Sequence, residues 1–300
     1  MRNSSIVKIL KHFTQSIVKK HAFFGKSIVK KRTPFKKQGK IKVKMKYYVV
    51  ADVHGFYTEL YNELEEKGFF QDKEPHKLIV CGDLFDRGDE ALKLQSFIVE
   101  LIVKNEVILI RGNHEDLLLT LIKDWDNNGF LHSHHNSNGT VDTVLQLTET
   151  KTITVNNKEE VKEKIINTPF VKEIIPRMIN FYETEKYVFV HGWIPCDAIG
   201  FGGHANRFIY KENWRELEEV DWNFARWYNG MEAARQGVIE PKKTIVCGHW
   251  HCSYGHARIE GKGSEFGEDA NFNPYISKGI IAIDACTVST KKINCLVVDD

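Results

Sequence analysis

From Lys46 onward the chain is a succession of short, β-branched apolar runs that each end in Gly, Asp, Asn or His, and this pattern limits the fold more than any other feature. The runs are Tyr47 to Ala51, Lys77 to Cys81, Val107 to Ile110, Tyr187 to Val190, Thr244 to Cys247, Gly279 to Ile283 and Ile293 to Val298. Continuous apolar runs of this length suit strands buried on both faces. Between the first three lie Tyr57 to Lys67 and Glu90 to Lys104, whose apolar residues recur at helical spacing. The chain therefore opens β-α-β-α-β and is expected to be α/β, with its chemistry just past the strand C-termini.

Five strand ends carry polar residues suited to chemistry: Asp52-Val53-His54-Gly55, Gly82-Asp83-Leu84-Phe85-Asp86-Arg87-Gly88, Arg111-Gly112-Asn113-His114-Glu115, His191-Gly192 and Gly248-His249-Trp250-His251. Each piece alone is more often a turn than a ligand site; five in order at strand ends leave little room for coincidence. Oxygen and imidazole donors in this mixture suit Mn, Fe or Zn. Asp52 to Asp83 is 31 residues and Asp83 to Asn113 is 30, each about one βαβ unit, so adjacent parallel strands would bring these ends together. Asp83, on the middle strand, is the natural carboxylate to bridge two cations.

Composition adds limits. With 42% hydrophobic and 27% charged residues, a soluble globular domain with a sizeable core is expected. The longest apolar runs, such as Phe97 to Val103, fall well short of the roughly 20 residues of a transmembrane segment. Six cysteines are scattered without a CxxC pair, which favours reduced thiols and a cytoplasmic location over a disulfide framework.

Charge is uneven. Residues 1–46 hold 15 of the 42 Lys and Arg and no acidic residue, leaving 27 basic against 40 acidic residues in the body. Within this arm Ser-Ile-Val-Lys recurs at Ser5, Ser16 and Ser27, an 11-residue spacing. Clustered basic residues are attracted to nucleic acid or anionic lipid, and the arm also shares features with a transit peptide. The simpler expectation is a disordered extension over 1–45, because Met45 onward reads like a natural beginning, followed by one domain over 46–300.

Residues 115–185 differ in character: a helical start from Glu115 to Trp125, a polar loop from Asn127 to Gly139, and charged helical stretches from Glu159 to Glu185. They read as a mostly helical cap inserted between two halves of the sheet system. His132, His134 and His135 invite a second metal site, but their Asn- and Ser-rich surroundings favour a solvated loop.

Gly82-Asp83-x-x-Asp86-Arg87-Gly88 and Arg111-Gly112-Asn113-His114-Glu115 resemble motifs of the calcineurin-like metallophosphoesterase superfamily, in its branch of phosphoprotein phosphatases and their bacterial serine/threonine phosphatase relatives. The resemblance covers residues 46–300, tightly over 46–115. It implies a four-layer α/β/β/α sandwich with a dimetal site where the strand ends of two sheets converge. Asp52, His54 and Asp83 would hold one metal, with His251 as an added ligand; Asp83, Asn113, His191 and His249 would hold the other. Manganese is the first expectation, iron or zinc the alternatives. His114 would be the general acid, oriented by Asp86, while Arg87 and Asn113 would contact the phosphate. Two cations roughly 3.5 to 4 Å apart would supply hydroxide near neutral pH.

The match thins further on. Arg226 is the candidate for a second phosphate-binding arginine, with Arg215 in reserve. Trp193 follows His191-Gly192 where relatives have a small residue, and is expected to narrow the site or stack on a substrate ring. Asn138-Gly139-Thr140 is similar to a segment lining the cleft in bacterial relatives. Hydrolysis of phosphomonoesters, on phosphorylated proteins or small molecules, is the leading expectation. Cleavage of dinucleoside polyphosphates or nucleic-acid ends is the alternative, and a non-catalytic protein-binding scaffold is the third. Leaving-group choice lies in cleft shape rather than in these motifs.

Overall fold

The computed structural model describes residues 44–201 and 204–299. The extension expected over 1–45 lies, but for its last two residues, outside the described residues, and with it the lipid, nucleic-acid and transit-peptide readings.

Strand β1 (Lys46–Val50) pairs in parallel with β2 (His76–Cys81), and β2 with β3 (Val107–Ile110). Helices α1 (Tyr57–Glu66) and α2 (Ala91–Lys104) make the crossovers. Each turns an apolar stripe inward: Leu60 and Leu64 on α1, and Leu94, Phe97, Ile98 and Leu101 on α2, at the spacing of one helical face. Asn105 ends α2 in the left-handed conformation (φ 57°), which its short polar side chain tolerates.

The segment after β3 is helical: α3 (Asn113–Lys123), α4 (Ser133–Ser137), α5 (Thr140–Leu147) and α6 (Lys158–Ile166). Helix α4 lies inside the stretch expected as a loop, and the helical run stops early, since β4 (Tyr182–Glu183) is a strand. Leu118, Leu121, Trp125, Val144, Leu147, Val161, Ile165 and Phe170 share one apolar core with α1, α2 and one face of the first sheet. This segment therefore packs into the body of the domain, completing a helical layer.

After β5 (Tyr187–Phe189) come a hairpin, β6 (Asp197–Phe201) and β7 (His204–Ile209), then α7 (Glu219–Ala225) and α8 (Gly230–Arg235). Strands β8 (Thr244–Cys247), β9 (Tyr275–Ser277), β10 (Ile280–Ala282) and β11 (Leu296–Asp299) complete the domain. One sheet has the order β11-β1-β2-β3, the other β4-β5-β8-β10-β9. In the second, β5, β8 and β10 are parallel while β4 and β9 run antiparallel at the edges.

Strand alternation separates the layers. Tyr48, Val50, Leu78, Val80 and Leu109 face the helices of the first sheet. Their neighbours Tyr47, Val49, Ile79, Cys81 and Ile110 meet Phe189, Val246 and Ile283 between the sheets. Val188, Val190, Ile245, Cys247 and Ala282 face a third core with Trp214, Trp222, Ala225 and Met231. The result is the α/β/β/α sandwich expected. Its parallel strands all deliver their C-terminal ends to one rim, where the His191 Nδ1 to Cys81 carbonyl contact (2.8 Å) ties one sheet to the other.

Candidate metal centre

Strands β1, β2, β3, β5 and β8 each hand one motif to this rim. The turns are tight enough to force uncommon backbone: Asp52, His54, Asp83, Asp86, Arg87 and His249 all have φ between 51° and 73°. Non-glycine residues at positive φ each cost of order 1–3 kcal/mol and persist where surrounding contacts hold them. Gly82, at φ +80°, has no alternative: a Cβ there would sit 2.5 Å from His191 Nδ1 and 2.7 Å from Gly112 Cα.

Asp83 is the hub. It belongs to two donor groups, His54, Asp83 and His114, and Asp83, His191 and His249, whose ligand atoms lie within 4.8 Å of one another. Its Oδ2 is 3.8 Å from both His54 Nε2 and His114 Nε2, and its Oδ1 is 3.4 Å from His191 Nε2. Burial would raise the Asp83 pKa, but the His191, His114, His54 and His249 rings hold it below the usual carboxylate range.

Backbone carbonyls fix the ring orientations. His54 Nδ1 donates to the Phe85 carbonyl at 3.0 Å and His191 Nδ1 to that of Cys81, so each neutral ring turns the lone pair of Nε2 to the centre. Burial keeps His54 and His249 neutral, pushing both down to about 3. His191 Nε2 then faces Asn113 Oδ1 at 2.7 Å, two acceptors with no proton between them. Asp52 accepts from the His249 backbone N–H at 3.1 and 2.9 Å, and burial, then Asp284 and Asp83, raises its pKa. Buried carboxylates and neutral imidazoles facing one another in this way fit divalent cations, which would compensate both.

The remaining motif residues flank this donor set. His114 Nδ1 donates to Asp86 Oδ2 at 2.7 Å. Burial opposes a charged His114, yet Asp83 and Asp86 outweigh it and raise the ring above its ordinary pKa. The Arg87 guanidinium spans both rings, with Nη1 3.4 Å from His54 Nε2 and Nη2 3.2 Å from His114 Nε2.

Four residues singled out in the sequence have other partners in the structure. His251, like Asp52, stands outside both donor groups, and its Nε2 is 3.2 Å from Glu265 Oε1, a carboxylate that competes for the ring. Arg226 is 2% exposed and already engaged: Nη1 donates to Asp116 and Asn223, Nη2 to Asn180 and Glu219. These carboxylates compete directly with any phosphate for its fork. Arg215 likewise pairs with Glu183 and Glu240. Trp193, 1% exposed, donates Nε1 to the Val238 carbonyl within the core, so it cannot stack on a substrate. The aromatic beside the centre is Trp227, half-exposed, its ring 5.8 Å from that of His249.

Sequence reading also missed supporting residues. Glu115, pushed up to about 7 chiefly by burial, accepts from the backbone N–H groups of Asp83, Leu84 and Gly112. Thr140 and Thr143 donate to the two oxygens of Asp86 at 2.8 and 2.6 Å. Asp284, just past β10 and pushed up to about 6 by burial, is a sixth strand-end residue; its position after an apolar run was the available signal.

Residues 45–253 match the family model of calcineurin-like phosphoesterases. The chain belongs to this family. Over 83 residues it is 37% identical to the symmetrical bis(5'-nucleosyl)-tetraphosphatase of Buchnera aphidicola, an alignment spanning 27% of this chain and 29% of that one. It is 26% identical over 210 residues to serine/threonine-protein phosphatase 2 of Salmonella typhimurium, covering 69% of this chain and 80% of that protein. With the asymmetrical bis(5'-nucleosyl)-tetraphosphatase of Bacillus subtilis, 24% identity extends over 216 residues, 66% of this chain and 82% of the relative. Membership implies divalent metals, in keeping with the paired donor groups. No helix among the described residues is long and apolar enough to cross a membrane.

Proposed function

We propose that this chain is a phosphoric ester hydrolase acting on phosphate monoesters, phosphoserine and phosphothreonine in proteins foremost. The observation that carries this reading is the His114–Asp86 pair standing against the Asp83 donor groups, with the Arg87 fork between them. Asp52, His54, Asp83, Asn113, His191 and His249 would hold two divalent cations, with manganese, iron and zinc all suited to the mixed oxygen and nitrogen donors and manganese the first to test. When bound, such cations acidify a water and neutralise charge on the phosphoryl oxygens.

The chain's own residues supply the rest. Arg87 can turn its fork from the two imidazoles to two phosphate oxygens, a bidentate arrangement that also orients the ester. His114, whose pKa Asp83 and Asp86 raise against the opposing effect of burial, gives its Nε2 proton to the leaving alkoxide, while Nδ1–H stays hydrogen-bonded to Asp86. Thr140 and Thr143 hold the carboxylate that sets this tautomer. The alignment with the Salmonella phosphatase is in keeping with a protein substrate, and that with the Bacillus tetraphosphatase, of similar breadth, with the second reading below. Six free cysteines, five of them buried, support a reducing compartment such as the cytoplasm.

A second reading, hydrolysis of dinucleoside polyphosphates, is favoured by the tetraphosphatase relatives and by one structural feature. Half-exposed Trp227 beside His249, with Phe224 63% exposed on α7, offers an aromatic ledge on which a base could stack. Nothing in the described residues supports a nucleic-acid substrate.

The test is an assay of the full chain with Mn²⁺ on p-nitrophenyl phosphate, its bis ester, a phosphothreonine peptide and diadenosine tetraphosphate, beside Asp83→Asn and His114→Ala. Metal-dependent peptide turnover lost in both variants supports the phosphatase. Turnover of the dinucleotide alone transfers the function to the second reading, and silence on all four overturns both.

A further inference from the structure

Outside the centre, His132, His134 and His135 present ring nitrogens that all lie within 4.8 Å of one another. The His134 and His135 rings are 3.9 Å apart between centroids, and those of His132 and His135 lie nearly parallel at 6.3 Å. A solvated turn would account for His132 and His134, which are exposed, but not for His135, which is 0% exposed. Neither His135 Nδ1 nor Nε2 has a hydrogen-bond partner. An imidazole is seldom buried with both nitrogens unpaired, because it gives up its water contacts for nothing. A ligand that binds the ring removes the anomaly, and two more imidazoles stand within reach of the same point.

We propose that His132, His134 and His135 bind one divalent transition-metal ion of the zinc class, distinct from the dinuclear centre, with a water completing a four-coordinate site. The chemistry selects the ligand. Three imidazoles without a carboxylate suit Zn²⁺ and its neighbours Co²⁺, Ni²⁺ and Cu²⁺ far better than the hard, oxygen-seeking Mg²⁺ or Ca²⁺. Two exposed rings give the ion an entry path, while the buried ring anchors it to the body. The position also gives the ion a structural consequence. Helix α4 runs into α5 through Asn138, whose Nδ2 donates to the His134 carbonyl at 2.7 Å, and α5 carries the Thr140 and Thr143 hydroxyls that hold Asp86. An ion here braces the support of the catalytic imidazole without entering the reaction.

The full chain, stripped of metal, is loaded with Zn²⁺, desalted and analysed for metal content; Co²⁺ titration followed by visible absorption reports coordination. The comparison set is the wild type, the double variant His132→Ala/His134→Ala, which removes only exposed rings, and His135→Gln. The double variant is expected to hold one ion fewer per chain and to lose one tetrahedral Co²⁺ signal, with an unchanged circular dichroism spectrum. His135→Gln is expected to weaken that ion at least tenfold. Equal metal content in wild type and double variant overturns the site, as does undiminished affinity in His135→Gln, which would leave only adventitious binding by surface imidazoles. Asp83→Asn, which disables the dinuclear centre, is expected to retain this ion, so the outcome does not depend on the proposed hydrolase activity.

Discussion

His114 Nδ1 lies 2.7 Å from Asp86 Oδ2, and that same oxygen also accepts the Thr140 hydroxyl at 2.8 Å. One carboxylate thus fixes the tautomer of the imidazole while a hydroxyl from a distant helix fixes the carboxylate. If His114 protonates the leaving oxygen, His114→Ala should lower kcat by about 10²–10⁴-fold. The loss should be greatest for the alkoxide of a phosphothreonine peptide and smaller for p-nitrophenyl phosphate, whose leaving group needs little help. Equal losses on both would remove His114 from the acid role.

Thr143 donates to Asp86 Oδ1 at 2.6 Å and accepts the Asp86 backbone N–H at 2.9 Å. Thr143→Val keeps the shape and deletes both bonds, leaving buried polar groups unpaired at about 1–3 kcal/mol. The expected signature is a fall in kcat of about tenfold with KM little changed, whereas Thr143→Ser, which keeps the hydroxyl, should restore most of it. A variant with native pH–rate behaviour and kcat would show that Asp86 is held without this residue.

Gly82 and Gly68 have similar backbones, at φ +80° and +83°, but different neighbours. A Cβ at Gly68 meets nothing within 4 Å, while one at Gly82 meets the His191 ring. Gly68→Ala should therefore show backbone strain alone, about 1 kcal/mol by thermal melting. Gly82→Ala should additionally displace His191 and reduce the bound Mn²⁺ measured by elemental analysis. Full metal content in Gly82→Ala would contradict the tight junction of the two sheets.

Glu183 receives Arg215 Nε and Nη2 at 2.9 and 2.7 Å, and Lys243 Nζ lies 2.8 Å from its Oε1. The Arg215 hydrogen bond, aided by Lys243 against the opposing effect of burial, lowers its pKa from 4.5 to about 2. A carboxylate depressed in the folded state stabilises it above the unfolded pKa, and the stabilisation is lost as pH falls through the folded one. Allowing for solvent screening, Glu183→Gln should cost about 1–2 kcal/mol near neutral pH. In denaturant melts the gap from wild type should shrink as pH drops below about 4.5 toward 2. A gap that stays constant through that range would mean the ion pair adds nothing.

The strand-end motifs were legible in the sequence because local physics dictates them. Apolar runs on two-faced strands, a helix between each of the first three, and polar residues past each terminus specify a parallel sheet and one reactive rim. The strand ends that carry Asp52, His54, Asp83, Asn113, His191 and His249 were readable on that basis, while their assignment as metal ligands came from the resemblance of the motifs to the calcineurin-like family. The fates of Arg226, Trp193, His251 and His135 were not, since each depends on what lies opposite in space. Arg226 meets Asp116, 110 residues away, and Trp193 meets the Val238 carbonyl, 45 residues away. The Thr143 hydroxyl reaches Asp86 across 57 residues. Burial and hydrogen-bond partnership are settled by packing between elements remote in sequence, so the sequence alone determined which residues reach the rim, and only the tertiary structure decided which of them are free to act there.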